Sequence, residues 1–192
     1  VGGAEVKLDD RKTLLLIVAV CVLPIAASYL TFYVIRPGGT AQHGELLPTA
    51  PLPALSLATA QGQPTSLEQF RGKWVMLHLD RGACDARCRS KLYFMRQVRT
   101  AQGKDMGRVE RVWLLTDGTW PAEESMKDYP GMHVLRLAST DAAAVFPAQG
   151  DAAAHIYVID PLGNLMMRYP DNPDPRRMIK DLSRLLKTSR IG

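Results

Sequence analysis

From Thr13 to Ile35 the chain runs for 23 residues without a charged side chain, TLLLIVAVCVLPIAASYLTFYVI. A helix of that length crosses a hydrocarbon layer of about 30 Å. A cleaved signal peptide is the competing reading, but its apolar core would span about 7–15 residues, and no small-x-small cleavage site lies at a suitable place before Thr40. The segment therefore reads as one transmembrane helix. Lys7, Arg11 and Lys12 precede it, whereas only Arg36 follows it within the next 30 residues. This bias of positive charge keeps the N-terminus cytoplasmic and places everything after Arg36 outside the cytoplasm. Tyr29, Phe32 and Tyr33 cluster at the outer end, as an interfacial aromatic belt does. Cys21, inside the span, reads as a small apolar residue.

The expected organisation is a cytoplasmic N-terminus over 1–12, the transmembrane helix over 13–35, an extracytoplasmic tether over 36–53 and a single domain over 54–192. Pro, Gly, Ala and Thr dominate the tether, and it has no apolar period. The 147 residues from Leu46 to Gly192 are enough for one core rather than two. Lys7, Arg11, Lys12 and Arg36 balance Glu5, Asp9, Asp10 and Glu45, so the whole net charge of +5 lies in the domain. That charge favours an acidic partner or anionic lipid. It is dispersed without interleaved aromatics, and nucleic acid is not an expected partner.

Periodicity predicts the order of elements. Leu52 to Ala58 alternates weakly and is expected to pair with the segment after Gly62. Ser66 to Phe70 reads as a short helical turn, and Lys73 to Leu79 as a buried strand by its apolar density. Cys88, Leu92, Met95 and Val98 recur at three- and four-residue steps, predicting a helix from Asp85 to about Gln102, with Gly103 as its stop. Arg111 to Thr116 is a second buried strand. A short helix over Glu123 to Asp128, a strand over His133 to Leu137 and a helical turn over Asp141 to Val145 follow. His155 to Ile159 and Leu165 to Tyr169 form a hairpin about the turn Asp160-Pro161-Leu162-Gly163-Asn164. Met178, Ile179, Leu182, Leu185 and Leu186 share one face of a closing helix over Pro175 to Lys187. The fold class is α/β, a sandwich of helices on a central sheet.

Cys84 and Cys88 stand where the first buried strand hands over to the helix. Residues four apart on a helix face one another, with Cβ atoms about 5–6 Å apart. Two thiolates so placed can share a thiophilic ion such as Cu(I), and the separation is near that of a disulfide. A structural disulfide is the plainer reading in an oxidising compartment. Arg81, Arg87, Arg89 and Lys91 surround the pair against the single nearby Asp85, which favours the thiolate, although such a cluster also forms ordinary solvated helix faces. No phosphate-cradling glycine loop, paired carboxylate site or Ser/His/Asp order accompanies them.

FRGKWVMLHL over Phe70 to Leu79, the two-cysteine loop, IYVIDPLGN over Ile156 to Asn164 and the final helix together resemble a membrane-anchored thioredoxin-fold protein. The three-residue gap between Cys84 and Cys88 is similar to the Sco/SenC proteins of cytochrome c oxidase assembly. The resemblance covers about Pro51 to Lys187. It implies a thioredoxin-like sandwich and copper as cargo. It also implies oxidase subunits or their assembly factors as partners, at the inner membrane with the domain in the periplasm or an equivalent space. Cys84 would be the attacking or entering sulfur, and Cys88 the resolving or second ligand.

The family has proline after the second cysteine, where this chain has Arg89. Its third copper ligand is a histidine at the position matching Ala152. His155, three residues later, is the candidate third ligand, and it also reads as a hydrogen-bonding residue at a strand start. His78 lies within the first buried strand. Thioredoxin-like reductases place a cis-proline just before the strand at Ile156, where this chain has Ala154. Thiol-disulfide exchange of the cytochrome c maturation type and a noncatalytic interaction subunit or assembly scaffold with a structural disulfide stand as alternatives. Fold likeness alone does not choose among them.

Overall fold

Every side chain from Trp74 to Leu79 is buried, the pattern of a strand covered on both faces. The computed structural model describes residues 10–31, 43–148, 150–189 and 191. Contacts divide the chain into two units, 1–41 and 42–192. In the first, helix α1 (Asp10–Leu30) carries Pro24 in its interior. Over Arg11–Leu30 it is long and apolar enough to cross a membrane. Residues 32–35 of the expected span lie outside the described residues.

The second unit is built on one eight-stranded sheet. Its strands are β1 (Glu45–Pro51), β2 (Leu57–Ala58), β3 (Pro64–Thr65), β4 (Trp74–Asp80), β5 (Val109–Leu115), β6 (Met132–Leu137), β7 (Ile156–Ile159) and β8 (Asn164–Tyr169), in the order β1-β8-β7-β4-β5-β6-β2-β3. The helices are α2 (Ala86–Thr100), the single turn α3 (Glu123–Met126) and α4 (Pro175–Thr188). β4, β5 and β6 run parallel, Trp74 opposite Val109 and Arg111 opposite Met132. β7 lies antiparallel to β4 on the other side, with His78 opposite Ile156.

The expected pairing after Gly62 is present, Leu57 facing Thr65. The hairpin of β7 and β8 turns on Asp160, whose carboxylate accepts from the backbone N–H of Leu162 and Asn164, while Gly163 takes φ +91°. Only a residue without Cβ adopts that conformation freely. One departure from expectation concerns the tether. Glu45–Pro51, assigned to it by composition, is an edge strand on β8, with Glu45 opposite Arg168. Buried Asp181 of α4 accepts from the backbone N–H of His43 at 2.7 Å and of Gly44 at 3.0 Å.

Strand alternation sorts the core into two layers. Val75, Leu77 and Leu79 join Phe70, Val112, Leu114 and Tyr157 on one face of the sheet. Trp74 and Met76 meet Leu92, Met95 and Val98 of α2 and Met178, Leu182 and Leu186 of α4 on the other. His78 and Asp80 share the parity of Trp74 and Met76, so they face the helix that carries Cys88.

Candidate functional site

Cys84 and Cys88 are joined by a disulfide with their Cα atoms 5.1 Å apart. They are not one turn apart on a helix, as the spacing suggested. α2 begins at Ala86, Asp85 is its N-cap, and Cys84 lies before it with φ +39°. That conformation costs a non-glycine residue roughly 1–2 kcal/mol, and the surrounding loop holds it. The Cys84 N–H donates to the Arg81 carbonyl at 3.1 Å. Its carbonyl accepts from the Arg89 guanidinium at 2.9 Å. Arg89 thus clamps the first cysteine. The Asp85 carboxylate accepts from the Cys88 N–H at 2.9 Å, satisfying a free donor of the first helical turn.

The two sulfurs differ in access. Cys88 is fully buried within the helix-side core, whereas Cys84 is partly exposed. Cys84 lines a cleft of about 520 Å³ together with Asp80, Arg87, Lys91, Asp151 and Ala152. On its other side it borders a cleft of about 250 Å³ walled by Trp113, Trp120, Met126 and Tyr129. One side is charged and the other aromatic. Gly82 makes the close approach possible, because a Cβ there would collide with the Thr119 carbonyl.

The basic cluster is organised rather than simply solvated. Asp171, in the loop after β8, accepts from Lys91 at 3.1 Å and from Arg87 at 2.6 Å. The Lys91 side chain is buried and Arg87 is exposed. The Arg87 hydrogen bond, aided by Lys91, holds the Asp171 carboxyl below its ordinary range against the opposing effect of burial.

The histidines fall in unexpected places. Ala152, where the sequence resemblance led us to expect a histidine, lines the cleft with Cys84. His155 does not. Its Nδ1 lies 2.8 Å from the Tyr169 carbonyl, and its own carbonyl lies 3.0 Å from Nδ1 of His78. Instead, ligand atoms of His78, Asp80 and Cys88 lie within 4.8 Å of one another. His78 is fully buried, with its Nε2 3.4 Å from Asp80 Oδ2, an ion pair when the ring is protonated. Burial pushes the Asp80 carboxyl up, but His78, the Arg81 N–H and the charge of Lys91 outweigh it, so it titrates below its ordinary range. Strand parity was the signal for this group: positions 78 and 80 share a face, and the apolar stripe of α2 begins at Cys88.

A mixed sheet between helices, with a cysteine pair at the start of the helix following the central strand, defines a thioredoxin-like domain. The chain belongs to the family of transmembrane-like, thioredoxin-like C-terminal domains, whose model matches residues 74–189. Among solved structures, the fold is similar to yeast Sco1 with copper bound, at 17% identity and TM-score 0.62, covering 72% of this chain and 94% of that one. It is similar to Bradyrhizobium japonicum ScoI with copper bound at 21% identity and TM-score 0.55, covering 70% and 99%. BsSco, a member of the Sco family of cytochrome c oxidase assembly proteins with a disulfide switch, matches at 14% identity and TM-score 0.58, covering 76% and 98%. No curated protein matches the chain.

Proposed function

We propose that this chain is a membrane-anchored Sco-like protein of cytochrome c oxidase biogenesis, delivering copper to the oxidase copper site or reducing that site's cysteines. The observation that carries the reading is the asymmetry of the pair, with Cys84 open to two clefts and Cys88 buried behind it at the start of α2. Residues 1–12 lie in the cytoplasm, 13–35 span the inner membrane, and the domain works in the periplasm or its equivalent.

In the reducing role, the thiolate of Cys84 attacks a disulfide of the target and expels one target sulfur as a thiolate. The buried Cys88 thiolate then attacks Cys84 in the mixed disulfide. The target leaves as a dithiol, and this chain retains the disulfide bond. In the delivery role, the reduced pair offers two soft sulfurs to Cu(I) as cargo. Both roles need a partner that reaches Cys84, and the cleft beside Trp120 and Tyr129 offers apolar area for that contact.

The test is the full chain with Cys84→Ser and Cys88→Ser combined, expressed in its own cells. We expect oxidase activity to fall several-fold while the protein accumulates normally in the membrane. Unchanged activity, with loss on deletion of the whole domain, overturns the reading in favour of a docking scaffold.

A further inference from the structure

We propose that Arg96, Arg99 and Arg111 form a binding site for a phosphate group, on the half of α2 that lies away from the cysteines. The inference goes beyond the copper reading and does not depend on it. It starts from Arg111, a β5 residue only 2% exposed. One of its nitrogens, Nη2, donates to the backbone carbonyl of Pro130. The other two, Nε and Nη1, are buried with no hydrogen-bond partner. A guanidinium keeps its charge in proteins and carries five N–H donors, so a buried one calls for an anion or several acceptors. Here a single carbonyl serves it.

Its neighbours add to the unmet charge. Arg96 and Arg99 stand three residues apart on one side of α2, and both are half-buried. Arg96 Nη1 donates to the Asp128 carbonyl at 2.8 Å, and Arg99 Nε to the Val109 carbonyl at 2.6 Å. Val109 shares a face of β5 with Arg111, and Asp128 stands two residues before Pro130 in the turn leading to β6, so these bonds gather the three guanidinium groups. Burial, and after it the charges of Arg99 and Arg96, push the Arg111 guanidinium down to about 10, with Glu110 alone opposing them. Glu110 is itself turned to His133, 3.2 Å away. Among the described residues, no carboxylate pairs with any of the three arginines.

Three cations held on neutral carbonyls lack a counter-charge, and an anion supplies it. Phosphate fits better than a carboxylate. One planar carboxylate is saturated by a single guanidinium fork, whereas a tetrahedral phosphate presents three or four oxygens to forks arriving from different elements. Arg96 and Arg99 reach the surface and take the oxygens directly, while Arg111 behind them adds charge in an interior that salt screens poorly. The phosphate is either free in solution or part of an anionic lipid headgroup. Arg96 and Arg99 lie about two and three helical turns beyond Cys88, about 12 and 16 Å along the axis, so the site is separate from the cysteine pair.

The experiment follows thermal unfolding of the oxidised full chain in detergent at constant ionic strength. Inorganic phosphate, acetate and chloride are compared in one arm, and mixed micelles of phosphatidylglycerol and of phosphatidylcholine in the other. We expect the unfolding temperature to rise saturably with inorganic phosphate or with phosphatidylglycerol, and the arm that responds names the source. Half-saturation should need at least about 10-fold more ligand in Arg96→Gln and in Arg99→Gln. Nitrogen-15 NMR reads the arginine side chains, and the Arg111 Nε–H resonance, assigned with Arg111→Lys, should shift with the same saturation. If Arg111→Lys does not fold, the other two variants decide the matter. No saturable rise in either arm overturns the inference, as does a rise that survives unchanged in both Arg96→Gln and Arg99→Gln. An equal response to acetate also overturns it, because the site is then one for carboxylates.

Discussion

At the scale of single residues, the conformation of Cys84 is sustained by neighbours that are not themselves reactive. Gly82 lets the cysteine loop lie against the Thr119 carbonyl, and its N–H donates to Asp117 at 3.0 Å. Gly82→Ala must push the two loops apart. The expected cost is about 1–3 kcal/mol, the range for overpacking a filled site, read as a lower urea midpoint together with a changed reduction potential of the Cys84–Cys88 pair. An unchanged potential would mean that the loop does not set the geometry of Cys84. The cysteines were visible in the sequence by type and spacing. The clamp from Arg89 and the glycine contact were not, since both depend on the path of the loop in space.

Among the elements, α2 matters most to the site, and two carboxylates fasten its beginning. Asp85 caps it by accepting from the Cys88 N–H. Asp85→Ala should cost about 0.5–2 kcal/mol, measured by denaturant unfolding of the oxidised protein. Asp171 holds Arg87 and Lys91 from outside the helix. Its folded pKa is depressed, so its contribution is fully present above the unfolded carboxyl value of about pH 4 and is lost as pH falls through the folded value. Asp171 is half exposed, and solvent screening keeps that contribution modest. Urea midpoints between neutral and acidic pH should therefore drop less steeply for Asp171→Asn than for the wild type. Equal slopes would show that another carboxylate governs the acid limb. The main helices and buried strands were legible because their apolar periods are long. β1 was not legible: it has two prolines and mostly exposed side chains, and only hydrogen bonding to β8 makes it a strand.

Across the whole molecule, the folded unit extends further toward the N-terminus than composition suggested. A fragment from residue 43 keeps β1 and the two backbone donors to Asp181. One from residue 54 removes the strand, bares the edge of β8 and strands a buried carboxylate, which alone costs about 1–3 kcal/mol. The longer fragment should unfold cooperatively, and the shorter should melt lower or aggregate, as calorimetry and light scattering would show. Equal melting temperatures would indicate that β1 contributes nothing to the domain. The chain thus has an apolar helix that fits a membrane anchor and a thioredoxin-like unit that begins close behind it in sequence.

The sequence by itself determined the apolar helix, the alternation of strands and helices, and the cysteine pair, because these follow from local composition and short periods. Tertiary structure alone decided which histidine approaches the Cys88 sulfur. His155 is tied to Tyr169, while His78 is carried beside Cys88 by a strand and a helix packed face to face. That juxtaposition depends on sheet register and helix placement, which are long-range properties, and spacing along the chain does not encode them in any local form.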